Sequence, residues 1–256
     1  MNKTLPIISF VAVVATTGLA PGLAIGQEVN HAQRYRTCMA EAKNAPQEAF
    51  EMALSWRGLG GGDAAEHCVA AALIGLKQFT VAANRLEALA RKTKQNAGVK
   101  AGLLAHAAQA WILADNNARA ESVLTAALNL TPWDANLLID RAQSRAGQRN
   151  FNGAVEDLNK AIEGGTRPAD AYVFRAAAYR RLDKLELALA DIERALALRP
   201  DHPDGLLERG ILRRMRENDD GARQDWLNII RLAPLSPAAD VARRQLESMD
   251  VKQNPK

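Results

Sequence analysis

The chain has 256 residues, of which 48% are apolar and 24% charged, the proportions of an ordinary globular protein able to bury a continuous core. Its formal charge of +4 comes from basic and acidic residues that interleave along the chain, which argues against a nucleic-acid partner, because phosphate recognition needs a clustered basic face. Aromatic residues make up only 5%, so close packing has to come from small side chains.

Lys3 precedes an uncharged run from Thr4 to Ile25, centred on Ile7, Ile8, Phe10, Val11, Val13 and Val14 and closed by Pro21 and Ala24-Ile25-Gly26. This is the layout of a secretory signal peptide over residues 1–26, with cleavage expected between Gly26 and Gln27. The run is also long enough to stay as a membrane anchor. Pro, Gly and Thr dilute it after Val14, which favours cleavage, and no later segment is apolar enough to span a membrane.

Residues 27–96 read as two divergent helix pairs. Tyr35, Cys38, Met39 and Ala42 form one apolar helical face, Pro46 restarts the chain, and Ala49, Phe50, Ala53 and Trp56 form the next. The run from Arg57 to Gly62 lacks the Lys-Ser/Thr ending of a phosphate loop and follows no strand, so it reads as a connector. Asp63 and Glu66 have capping-box spacing and predict a helix start. That helix continues through Cys68, Ala71, Ala72, Gly75 and Leu76, and its partner carries Val81, Ala82, Leu86 and Leu89. A looser link at Lys92–Asn96 leads into four regular units at 97–134, 135–168, 169–202 and 203–236. Ser236 and Pro237 then start a closing helix over 237–249, with a frayed tail expected at 250–256.

The four units repeat with a period of 34: Ala120, Ala154, Ala188 and Ala222 share one position, and Leu124, Leu158, Ile192 and Trp226 another. Ala142, Ala176 and Gly210 form a third small position, and Pro132, Pro200 and Pro234 close units. Two helices per fixed period mark a helical repeat array. Small residues where helices cross let their axes approach, and the large residue fills the gap beside them. Arg141, Arg175 and Arg209 each precede the small residue, with Asp157, Asp191 and Asp225 sixteen positions later, whereas the third unit has Ala107 and Val123 there. A matching carboxylate for every arginine predicts a ladder of structural ion pairs, since a buried unpaired charge is costly.

No catalytic residues are expected: the chain has no GxSxG elbow, HExxH helix, Walker loop or Cys-His arrangement. His31, Cys38, His67 and Cys68 match no zinc-ligand spacing, so neither a metal nor a cofactor is expected.

Tyr172, Ala176, Tyr179, Ala188, Ile192, Ala195 and Pro200 follow, position for position, the pattern that the unit resembles, that of the tetratricopeptide repeat family. The resemblance covers Ala97–Met249 well and Glu28–Asn96 loosely. It implies an all-α, right-handed α-solenoid of about six helix pairs with a capping helix, whose first helices line a groove for a partner protein or extended peptide. It looks like the secreted tetratricopeptide proteins of Gram-negative-type bacteria, which implies a non-catalytic periplasmic adaptor. The other readings are a membrane-tethered subunit of an envelope assembly complex and an envelope enzyme with an unrecognised site. The Lys and Asn clamp that holds a C-terminal carboxylate in some members is missing, so chaperone-tail binding does not carry over.

Groove-facing positions in this register run from Gly102, Ala105, Gln109 and Ile112, through Asn136 and Gln143, to Arg180, Arg181 and Arg214, a gradient that suits a peptide with an apolar and an acidic end. In such a stack the helices carrying Cys38 and Cys68 lie side by side. In an exported chain the pair is expected as a disulfide, the alternative being two buried thiols.

Overall fold

A computed structural model describes residues 30–165 and 168–253, and the side chains only as far as 250. The expected signal segment lies outside the described residues. Thirteen helices and no strand occur among the described residues. They form six antiparallel pairs: α1 (His31–Asn44) with α2 (Pro46–Gly58), α3 (Gly62–Gly75) with α4 (Phe79–Lys92), α5 (Ala97–Leu113) with α6 (Asn117–Leu130), α7 (Ala135–Gly147) with α8 (Phe151–Gly164), α9 (Pro168–Arg181) with α10 (Leu185–Leu198), and α11 (Pro203–Met215) with α12 (Asp219–Leu232). α13 (Pro237–Gln253) closes the array. Each helix packs on the next, and the first helices also meet, α1 with α3, α5 with α7, α7 with α9, α9 with α11 and α11 with α13, while a side-chain contact joins α3 to α5. The molecule is an all-α solenoid.

The small positions do the close packing. Ala82, Ala120, Ala188 and Ala222 are completely buried, as are Leu124, Ile192 and Trp226 at the large position. Unit six exchanges sizes: Gly210 replaces the alanine and Trp226 the leucine, and a Cβ on Gly210 would lie 2.4 Å from Trp226 Nε1. The turn inside each of five pairs places a residue with positive φ, at Lys77, Asp115, Arg149, Asp183 and Glu217. After three of these turns an asparagine caps the second helix. Asn116, Asn150 and Asn218 accept from the backbone N–H groups of Arg119, Gly153 and Gly221 at 3.0–3.1 Å.

Two local expectations need correction. Asp63 and Glu66 form no capping box: α3 starts from Gly61 without a side-chain cap. Asp63 instead accepts from Thr93 Oγ1 at 2.5 Å, and Glu66 accepts from Arg85 at 2.6 Å and Arg57 at 3.4 Å. Partners from the flanking helices outcompete the backbone. The closing helix also runs past Met249 to Gln253, and Asp250, expected in a frayed tail, pairs with Arg223 of α12 at 2.6 Å. Ser236 Oγ accepts from the Ala239 N–H at its start.

Candidate functional site

The arginine and aspartate series comes together across the helix hairpins. Arg141 donates to both oxygens of Asp157 at 2.9 and 2.7 Å, Arg175 to Asp191 at 2.7 and 2.8 Å, and Arg209 to Asp225 at 3.0 and 2.7 Å. All three carboxylates are buried. The hydrogen bonds to Asp157 and Asp191 hold the Arg141 and Arg175 guanidiniums above their ordinary pKa, against the opposing effect of burial. Two of the arginines also reach back one repeat. Arg141 donates to Thr125 at 3.2 Å and Arg175 to Asn159 at 2.7 Å, so each staples its own unit to the preceding one. This linkage consumes the guanidinium donors and leaves the row no open fork for a ligand.

The three arginines expected in the groove sit differently from one another. Arg180 pairs with the buried Glu208 of α11, its second contact being 3.2 Å. Arg214 donates to Gln245 and Ser248 of α13, both at 2.9 Å. These two join successive first helices. Arg181 is exposed, with its guanidinium 5.4 Å above the Phe151 ring. It lines a cavity of about 110 Å³ on the first-helix face between α7 and α9, together with Gln143, Phe151, Phe174 and Ala177. Among the three, only Arg181 keeps its charge turned to solvent.

Cys38 and Cys68 form a disulfide between α1 and α3, with a Cα–Cα distance of 6.1 Å and both residues completely buried. In front of it runs a hydrogen-bonded chain that the sequence did not announce. Tyr35 Oη lies 2.8 Å from His67 Nδ1, and His67 Nε2 lies 2.8 Å from His106 Nδ1. The three side chains belong to α1, α3 and α5, so the chain crosses the first helices of three units. Burial, then the proximity of His106, pushes His67 down to about 4, and burial also lowers His106. Both rings are therefore neutral at pH 7. His67 and His106 lie 39 residues apart where their units step by 38, so no shared repeat position signals this contact in the sequence. No group of three metal-ligating side chains occurs among the described residues.

A stack of two-helix units with alanine or glycine at the crossings defines the class: a helical-repeat solenoid. Its fold is that of tetratricopeptide-repeat proteins. The chain superposes on a tetratricopeptide repeat protein from Parabacteroides merdae with a TM-score of 0.67, at 18% identity, covering 87% of this chain and 85% of that one. It matches a thermophilic tetratricopeptide-repeat protein of Thermus thermophilus with a TM-score of 0.59, at 17% identity, covering 73% of this chain and 98% of that one. In sequence it is similar to tetratricopeptide repeat protein 36 of Bos taurus, 39% identical over 101 residues, which are 38% of this chain. It is also similar to the SGT1 homolog of Oryza sativa subsp. japonica, 36% identical over 86 residues, or 34% of this chain. These matches span 51% and 23% of the two curated relatives. No family model matches the sequence.

Proposed function

We propose that this chain is a non-catalytic scaffold of the bacterial periplasm that holds an extended segment of a partner protein along its first helices. The observation that carries the reading is the α7–α9 seam: an apolar cavity with Phe151 and Phe174 in its lining and the exposed Arg181 at its edge. An apolar side chain entering that cavity, followed by an acidic residue against Arg181, suits the seam by shape and charge. Support also comes from a fold neighbour, YrrB, described as a TPR protein with an unusual peptide-binding site, with a TM-score of 0.53 at 16% identity. Export is supported by the run from Thr4 to Ile25 and by the Cys38–Cys68 disulfide, which suits an oxidising compartment.

A photo-cross-linking residue at Gln143, on the groove, is expected to capture a discrete partner in cells, whereas the same residue at Glu156, exposed on α8, is not. Arg181→Glu should weaken that capture. Equal capture from both faces, or none from Gln143, would refute the groove reading. Mass determination of the exported protein tests the second part, with Gln27 expected at its N-terminus and a retained run pointing to the tethered alternative.

A further inference from the structure

Among the described residues, the reach-back of Arg141 and Arg175 onto the preceding second helix has no counterpart at the seam between α4 and α6. The step from Ala82 to Ala120 is 38 residues instead of 34, and the ladder positions of this unit are Ala107 and Val123. No arginine crosses from α5 to the second helices here as Arg141 and Arg175 do further on. What fills the seam is a cleft of about 310 Å³ on the second-helix side, opposite the groove and within the size range of ligand pockets. Its apolar lining comes from Leu104, Val123, Ala126 and Leu130.

The charges around it do not balance. Arg91, Lys100 and Arg119 face a single carboxylate, Glu87, which leaves three minus one, or two, net positive charges. Glu87 is already committed: Arg119 donates to it at 2.6 Å and Trp111 at 2.8 Å. Arg91 approaches it only to 3.6 Å and is largely exposed, and the half-buried Lys100 has no ion-pair partner among the described residues. An apolar cleft with two underused cations is complementary to one kind of molecule. We infer that this seam is a binding site for an anionic amphiphile, with its carboxylate or phosphate head on Lys100 and Arg91 and its alkyl chain along Leu104, Val123 and Leu130. The site is independent of the groove and its partner.

Titration calorimetry of the whole protein with decanoate and with decyl phosphate, below their aggregation concentrations, tests it. Saturable one-to-one binding of either is expected, and a difference between the two identifies the head group. Decyl maltoside, with the same chain and no charge, should bind at least about tenfold more weakly, as loss of a charge-assisted contact implies. Inorganic phosphate alone should show no saturable binding. Lys100→Glu should weaken decanoate by about tenfold or more, the same contact being lost and reversed. Ala126→Trp, at an exposed lining position, should plug the cleft and abolish binding while helicity and melting temperature stay unchanged. Absence of saturation with both anions, equal binding of decyl maltoside, or wild-type affinity in both variants would overturn the inference.

Discussion

The exchange of sizes in unit six lends itself to a double-mutant cycle. At equivalent places the repeat sets buried Ala108 with Leu124, Ala142 with Leu158 and Ala176 with Ile192, whereas Gly210 lies against Trp226. Alanine at 210 would bring its Cβ to 2.4 Å from Trp226 Nε1 and 2.9 Å from Cδ1 and Cε2, against a ring with no exposed surface. In a helix interior, Gly→Ala by itself should stabilise by about 1 kcal/mol. Overpacking of a closed core costs about 1–3 kcal/mol, and this clash belongs at the upper end, so a net loss of about 2 kcal/mol is expected.

Trp226→Leu alone should cost on the order of 2 kcal/mol, because the cavity it opens is only partly offset by removing an indole N–H that is buried without a partner. The double variant recreates the alanine–leucine pair of the other units and, with the clash gone, should be about 1 kcal/mol more stable than Trp226→Leu alone. The coupling is then about 3 kcal/mol, well above the ~0.5 kcal/mol scatter of independent sites. Urea unfolding of the four proteins, followed by far-UV circular dichroism, measures it. Additive costs, or a Gly210→Ala variant more stable than the parent, would refute the size-exchange argument.

Three further outcomes are expected. Asp191→Ala strands Arg175 in a half-buried seam and should destabilise by about 3–5 kcal/mol in thermal melts, while Arg175→Met together with Asp191→Leu should recover much of that loss. Replacing Cys38 and Cys68 by serine opens a loop with a sequence separation of 30 and should lower stability by about 3–4 kcal/mol in urea titrations, with proteolysis beginning in α1 and α2. The histidine chain should make stability pH-dependent. His67 protonates near 6.5 when unfolded but only at about 4 when folded, so its contribution is complete above pH 6.5 and is lost as the pH falls toward 4. The groups facing it are Tyr35 from α1, His106 from α5 and, around the neighbouring cavity, Asp63. A loss on the order of 2 kcal/mol between pH 7 and 4 is expected in melts of the parent, and a flatter profile in His67→Gln; identical slopes would dismiss the chain as its source.

Much of this architecture is legible one helix at a time. Helical periodicity and the choice of alanine at a crossing depend on contacts that every unit repeats, so Ala154, Ala188 and Ala222 disclose both the period and the packing. The same repetition sets Arg175 and Asp191 sixteen residues apart within one hairpin. Contacts between side chains that the units do not repeat follow no such rule. Asp63 and Glu66 have the local spacing of a capping box, yet Thr93 at the end of α4, Arg85 of α4 and Arg57 of α2 take them, because contacts from the flanking helices compete with the free N–H groups of a helix end.

The groove shows the division most clearly. Arg180 and Arg181 are neighbours of one residue type, and nothing in their order separates them. One helical step of about 100° turns Arg180 onto the buried Glu208 of the following unit and leaves Arg181 over Phe151, facing solvent. Helices, their pairing and their small-for-large packing follow from the order of residues, since they rest on interactions within a repeat. Which charges stay available to a partner depends on how far each unit is displaced and rotated against the next, because that displacement brings together side chains some 30 residues apart.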